Sequence, residues 1–164
     1  RQHDAASVVL SLRSAGDVEE AARKMATRIR AELPNARLKG FAVEPMIERR
    51  NAHELLVGMT DDETFGPMLM FGAGGTAVEV LADTAAALPP LDLQLARDLI
   101  GSTRVSRLLA GYRDRPAADL DAIAMALVRT SMLVAAHPEI RELDINPLIV
   151  SKTSCTCVDI KIKI

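Results

Sequence analysis

The sequence predicts an α+β fold in which helices pack on a mixed or antiparallel sheet. Three observations carry this expectation. Short apolar runs joined by polar turns fill the first half, as in "LKGFAVEPMI", "ELLVGMT" and "PMLMFG". The second half changes to apolar residues at helical spacing. Two further strand-like runs, "IRELDINPLIV" and "TCVDIKIKI", then close the chain. Strands and helices are grouped rather than alternating, which is the pattern of α+β domains.

Taken in order, "SVVLSL" (Ser7 to Leu12) reads as a short strand. It lies so near the first residue that part of the fold is expected to precede it. Ser14-x-x-Asp17 resembles a capping box and opens a helix with Val18, Ala21, Ala22, Met25 and Ile29 on one stripe. Pro34 and Asn35 end it. Strands are expected near 38–46, 54–60, 67–71 and 76–81, the first broken at Pro45. Pro89-Pro90 punctuates the chain. "LDLQLARDLIGS" and "RVSRLLAGY" predict two short helical segments, parted near Gly101-Ser102. A long helix is expected over 117–136. Leu120, Ile123, Leu127, Ser131 and Val134 form its inner stripe, with Ala124, Val128 and Met132 beside them. Pro138 stops it. Strands near 143–150 and 156–162 follow. The expected domain boundary falls between 1–37 and 38–164.

The chain has 164 residues, is 49% apolar and carries a net charge of −2. That supports one ordinary core or two lobes. No basic face points to nucleic acid, and with no Trp and one Tyr there is little to stack on bases. No apolar run approaches the roughly 20 residues that span a bilayer. Arg1-Gln2-His3-Asp4 lacks the apolar core of a signal peptide. Neither nucleic acid nor membrane is therefore expected as a partner, and a reducing, cytoplasmic setting is the default. Cys155 and Cys157 sit two apart on a strand and share a face. The histidines (His3, His53 and His137) lack ligand spacing, so strand packing outweighs a Cys-x-Cys metal site.

Gly72-Ala73-Gly74-Gly75-Thr76-Ala77 satisfies G-x-G-x-x-[GA] after an apolar run, Met68 to Phe71. A dinucleotide fingerprint needs a helix directly after the glycines. Here Thr76 to Leu81 reads as a strand, and the next helical pattern begins only at Leu91. A phosphate loop with G-K-[ST] is absent. Two readings stay open: a tight turn between strands, or a bare backbone that lets a phosphate approach. Near the C-terminus, Asp144 and Asn146 project to one face of a strand, and a hairpin at Ser151 to Ser154 brings Asp159 beside Asn146. Asn and Asp oxygens are hard ligands that suit Mg²⁺. On spacing alone, ordinary polar strand-end residues are the favoured reading of Asp144 and Asp159.

"VEPMI", "ELLVGMTDDETFGPMLMFGAGGTAVEVLAD", "LPPL", "RLLAGYRDRP" and "ELDINPLIV…CVDIKI" occur in that order. Together they resemble the ATP-grasp region of NDP-forming (ADP-forming) acyl-CoA synthetases, relatives of the succinyl-CoA synthetase β subunit. The resemblance runs from about Ser7 to Ile162. It implies an ATP-grasp-like fold with an incomplete first subdomain: residues 1–37 as its remnant, and 38–164 as the second subdomain. It implies that Val43, Glu44, Pro45 and Met46 hold adenine and ribose, and that Glu54 faces the nucleotide. Phe65-Gly66-Pro67 and the loop of Gly72, Gly74 and Gly75 would lie near the transferred phosphoryl group. Asn146 and Asp159 would hold Mg²⁺ on the phosphates of ATP or ADP. Lys161 stands where the family often has Arg, and Arg113 matches a frequent family arginine.

The implied activity is a ligase reaction. It interconverts acid, CoA and ATP with acyl-CoA, ADP and phosphate, and the phosphoryl group passes through a histidine. That phosphohistidine belongs to a CoA-binding domain or subunit, which is the implied partner, and a homo-oligomer of the larger protein is compatible with it. The sequence departs from the family where His-Lys-Ser-Asp-x-Gly-Gly-Val is usual. Gln2 replaces the lysine, and Ala6-Ser7 replace the paired glycines. These changes remove a cation and crowd the backbone. They predict that this chain alone is not a working ligase. They also keep an alternative in view: a non-catalytic or nucleotide-sensing ATP-grasp-like domain in a larger protein such as a lysine acetyltransferase.

Overall fold

A computed structural model describes residues 8–47, 51–75 and 83–164. The chain divides into two compact units, Arg1–Glu48 and Arg49–Ile164.

In the first unit, helix α1 spans Ala15–Glu32. Ser14 caps it. Its Oγ accepts from the Asp17 N–H at 3.1 Å, and Asp17 Oδ2 accepts from the Arg13 and Ser14 N–H groups at 3.0 Å each. These donors, Arg13 first, hold the Asp17 carboxyl below its usual range. Val18, Ala21, Ala22, Met25 and Ile29 form the expected stripe, half-buried, and Ala26 joins it. The expected strands here are not formed. Val8 to Leu12 and Leu38 to Met46 belong to no ladder among the described residues. An apolar run becomes a strand only when a neighbour accepts its hydrogen bonds.

Among its described residues the second unit has six strands: β1 (His53–Asp62), β2 (Gly66–Ala73), β3 (Thr84–Ala87), β4 (Glu142–Val150), β5 (Cys155–Cys157) and β6 (Ile160–Lys163). Their order is β3-β2-β1-β4-β5, with β6 also pairing β4, and every pair is antiparallel. Strands β1 and β2 form a hairpin in register from Leu55↔Ala73 to Asp62↔Gly66. Its turn is fixed by Asp62 Oδ1, which accepts from the Thr64 and Phe65 N–H groups at 2.9 and 3.0 Å. Strand β3 was not legible, because Thr-Ala-Ala-Ala has little strand propensity and forms only by pairing β2. The expected strand at 76–81 lies outside the described residues.

Helices α2 (Leu93–Gly101), α3 (Ser106–Leu109) and α4 (Leu120–Ala136) follow β3. Helix α2 packs on α4 and against β2 and β3. The core joins Leu55, Val57 and Met59 of β1, Leu69 and Phe71 of β2, and Leu143, Ile145 and Leu148 of β4 to Leu99, Ile123 and Leu127 of the helices. Ile123, Ala124, Leu127, Ser131 and Val134 face inward as expected, together with Thr130. Leu120 and Met132 do not. They are 39% and 60% exposed, because the inner stripe of α4 is narrower than its apolar surface. Alternation along β1 then puts Glu54, Leu56, Gly58 and Thr60 on the opposite face of the sheet.

Candidate functional site

That opposite face carries Glu54 and Asp144, two of the second-unit residues the sequence singled out. Gly58 pairs Asp144 on one side and Met70 on the other, and Asp144 pairs Lys161. Glu54 pairs Ile149, which is 1% exposed yet stands outside the main core cluster. Between these pairs the ladder slips. Leu55 pairs Leu148 but Val57 pairs Ile145, so Asn146 and Pro147 both oppose the single residue Leu56. This is a β-bulge, and Pro147 contributes to it by having no N–H to donate.

The returning strand breaks at the same place. Segments β5 and β6 flank Val158 and Asp159, which belong to neither. The gap is bridged by the Asn146 N–H donating to the Asp159 carbonyl at 3.2 Å and the Val158 N–H donating to the Pro147 carbonyl at 3.1 Å. Bulge and break thus bring Asn146 and Asp159 side by side, both half-buried. Lys161 Nζ lies 3.3 Å from Asp159 Oδ2. The cation expected at Lys161 therefore reaches the candidate metal carboxylate.

This donor set fits a hard cation. It offers amide and carboxylate oxygens with water access, and Mg²⁺ takes one or two such ligands while keeping waters and phosphate oxygens. No group of three His, Cys, Asp or Glu suited to a metal occurs among the described residues. The cysteines of β5 have the opposite character. Burial raises the Cys155 thiol to about 11 and also raises that of Cys157, away from the thiolate a metal would need.

The glycines have a reason within the chain. Gly72 lies in β2, where a Cβ would strike the Asp83 carbonyl. Gly74 donates its N–H to the Glu54 carbonyl at 2.8 Å, and a Cβ there would come within 2.6 Å of the Leu55 backbone. Gly75 has φ +67°, and its Cβ position meets the Glu54 carboxylate. Gly72 and Gly74 thus let backbones close on one another, Gly72 also meeting the Thr84 methyl, whereas Gly75 sits against the Glu54 side chain. Phe65-Gly66-Pro67 is not brought to this loop. It lies at the other end of β2, about 25 Å along the strand.

Val43, Glu44, Pro45 and Met46 belong to the first unit, exposed and outside any helix or strand. Gln2, Ala6 and Ser7 lie outside the described residues. Arg113 has φ +52° and stacks over Tyr112 at 5.2 Å from the ring centroid, in a turn closed by Tyr112 and Arg115. Sequence reasoning missed Asp83, whose two oxygens accept from the Arg104 and Val105 N–H groups at 2.7 Å each. It also missed His53 as a polar group, buried at the start of β1. His53 opens a run that otherwise reads as strand core, and no motif marks it.

Comparison with known proteins gives a consistent family. The sequence model of the ATP-grasp domain matches residues 1–164. An ADP-forming acetate–CoA ligase I of Archaeoglobus fulgidus is 38% identical over 145 residues, which is 88% of this chain and 21% of that protein. The β subunit of an ADP-forming acetate–CoA ligase I of Pyrococcus furiosus is 33% identical over 156 residues, 95% of this chain and 66% of that subunit. Acetyl-coenzyme A synthetase 1 of Ca. Korarchaeum cryptofilum, solved with coenzyme A and Ca-AMPCP, superposes with a TM-score of 0.81. It is 33% identical, over 97% of this chain and 69% of that one. The chain thus spans about a fifth of the first relative and about two thirds of the second. No helix among the described residues is long and apolar enough to cross a membrane. With its antiparallel sheet, one helix-covered face and a full-length match, the chain belongs to the ATP-grasp domain family, and its relatives there are ADP-forming acyl-CoA synthetases.

Proposed function

We propose that the chain is the nucleotide-binding part of an ADP-forming acid–CoA ligase, and that Asn146 and Asp159 hold Mg²⁺ on the phosphates of ATP or ADP. The observation that supports this reading is the bulge of β4 opposite the break between β5 and β6, where the Asn146 and Asp159 backbones are hydrogen-bonded side by side. When bound, Mg²⁺ would neutralise charge on the phosphates, which phosphoryl transfer requires more than covalent help from the protein. The chain's own residues do the positioning. Lys161 adds a cation beside Asp159 that can turn toward phosphate. Glu54 is on the same face, about 10 Å along the sheet from Asn146. Gly75 leaves the loop backbone bare beside Glu54. Val43, Glu44, Pro45 and Met46 would take adenine and ribose, as the resemblance implies.

The partner is a CoA-binding domain or subunit that carries the phosphohistidine. One relative is itself a β subunit, which supports a second component. The relatives are ligases, which favours this reading over a sensing domain. A cytoplasmic setting follows from the same reading. The test is Asp159→Asn and Asn146→Ala, each placed in the complete ligase. Both should abolish Mg²⁺-dependent ADP phosphorylation while the melting temperature stays within a few degrees, since neither side chain is in the core. Full activity in both variants would refute the assignment.

A further inference from the structure

The chemistry proposed for Asn146 and Asp159 leaves one buried ionisable group unused. His53 is 7% exposed, and its Nε2 is shielded from solvent with no hydrogen-bond partner among the described residues. A neutral imidazole tolerates such a place. An imidazolium does not, because a buried charge needs a partner or water. The charged residues grouped with His53 at this end of the sheet are Glu54 of β1, Asp83 before β3, Arg104 between α2 and α3, and Arg115 between α3 and α4. Val150, which pairs His53 from β4, brings no charge. Both Asp83 oxygens accept from the Arg104 and Val105 N–H groups at 2.7 Å, and Glu54 lies against Gly75. Burial first, and then the charge of Arg115, lower the pKa of His53 and hold it neutral.

His53 also sits where the sheet can open by itself. It is the first residue of β1. Releasing it breaks the end pairs His53↔Val150 and Glu54↔Ile149, together with the bond from the Gly74 N–H to the Glu54 carbonyl. Opening stops at the next residue, Leu55, which is fully buried in the core. The end of a strand opens at a far smaller free-energy cost than the whole fold. Once open, the imidazole meets water and accepts a proton that the closed end refuses.

We propose that His53 is a proton-operated latch on the start of β1: protonation releases residues 53–54 from β4 and opens the clasp between Gly74 and Glu54, while the rest of the sheet stays folded. The released imidazole has its ordinary value of 6.5, and the closed one lies below it. Closure is therefore fully favoured above that value. It is lost as the pH falls below it, by up to about tenfold per pH unit for one proton. The latch needs neither metal nor nucleotide and does not rest on the assignment of Asn146 and Asp159.

The test is amide exchange of the isotopically labelled chain, without Mg²⁺ or nucleotide, between about pH 7.5 and about pH 5.5. It is read as protection factors, so that the intrinsic pH dependence of exchange divides out. Protection of the Gly74 amide should fall by up to about tenfold over this range. That of Ile123, whose N–H is bonded to the Asp119 carbonyl at the start of α4, should stay level. His53→Leu keeps an apolar group in the strand and should make the Gly74 protection independent of pH. Arg115→Gln leaves the imidazole in place. It should shrink the pH dependence without removing it, because burial is the larger cause. Asp159→Asn should leave the dependence as it is, so the latch and the metal assignment fail independently. The proposal is overturned if Gly74 protection is constant across the range, if it falls as far in His53→Leu, or if Ile123 loses protection by the same factor.

Discussion

Gly74 shows how one atom decides the start of β1. Its N–H is bonded to the Glu54 carbonyl, and the space for a Cβ is taken by the backbone of Leu55. Gly74→Ala should therefore cost about 1–3 kcal/mol, the usual penalty for overpacking. Urea unfolding measures this. Gly101→Ala is the control, because nothing lies within 4 Å of its Cβ position. Equal stability of the two variants would show that the loop relaxes freely. The sequence displayed these glycines clearly but not their reason, since G-x-G-x-x-[GA] looks the same whether the close neighbour is a phosphate or a strand. His53 was illegible for a different cause: its meaning is a missing hydrogen bond, and a sequence does not show what a side chain fails to meet.

Among the elements, those whose pattern is local were legible. Helices α1 and α4 follow from capping and helical spacing, and β1, β2 and β4 from apolar runs between turns. Elements made by their neighbours were not. The three alanines of β3 become a strand because β2 offers an edge, whereas the apolar runs at 8–12 and 38–46 have no ladder partner among the described residues. The juxtaposition of Asn146 and Asp159 was anticipated from a hairpin. The bulge and the strand break that produce it were not, because register is a property of two strands together. Ser131 joins two elements. It is fully buried, its Oγ accepts from the Leu91 N–H at 2.9 Å, and it donates to the Val128 carbonyl at 2.7 Å. Ser131→Ala should leave the Leu91 N–H without a partner beside α4 and cost about 1–3 kcal/mol. Thermal unfolding reads the loss. A change under half that size would mean that water reaches Leu91.

At the scale of the whole sheet, helices α2 and α4 of the second unit cover one face and leave Glu54, Asp144 and Asn146 on the other. A nucleotide on that face should meet a metal at one place only. Mn²⁺ in place of Mg²⁺ makes that place visible, because it broadens the resonances of nuclei around it. In a spectrum of the chain with ADP and substoichiometric Mn²⁺, the signals of Asn146, Asp159 and Lys161 should broaden first. Those of the hairpin turn at Asp62 to Phe65, at the far end of β2, should persist, and Asp159→Asn should restore the lost signals. Broadening centred on that turn, or unchanged by Asp159→Asn, would contradict the assignment of the metal and nucleotide to the β4 bulge.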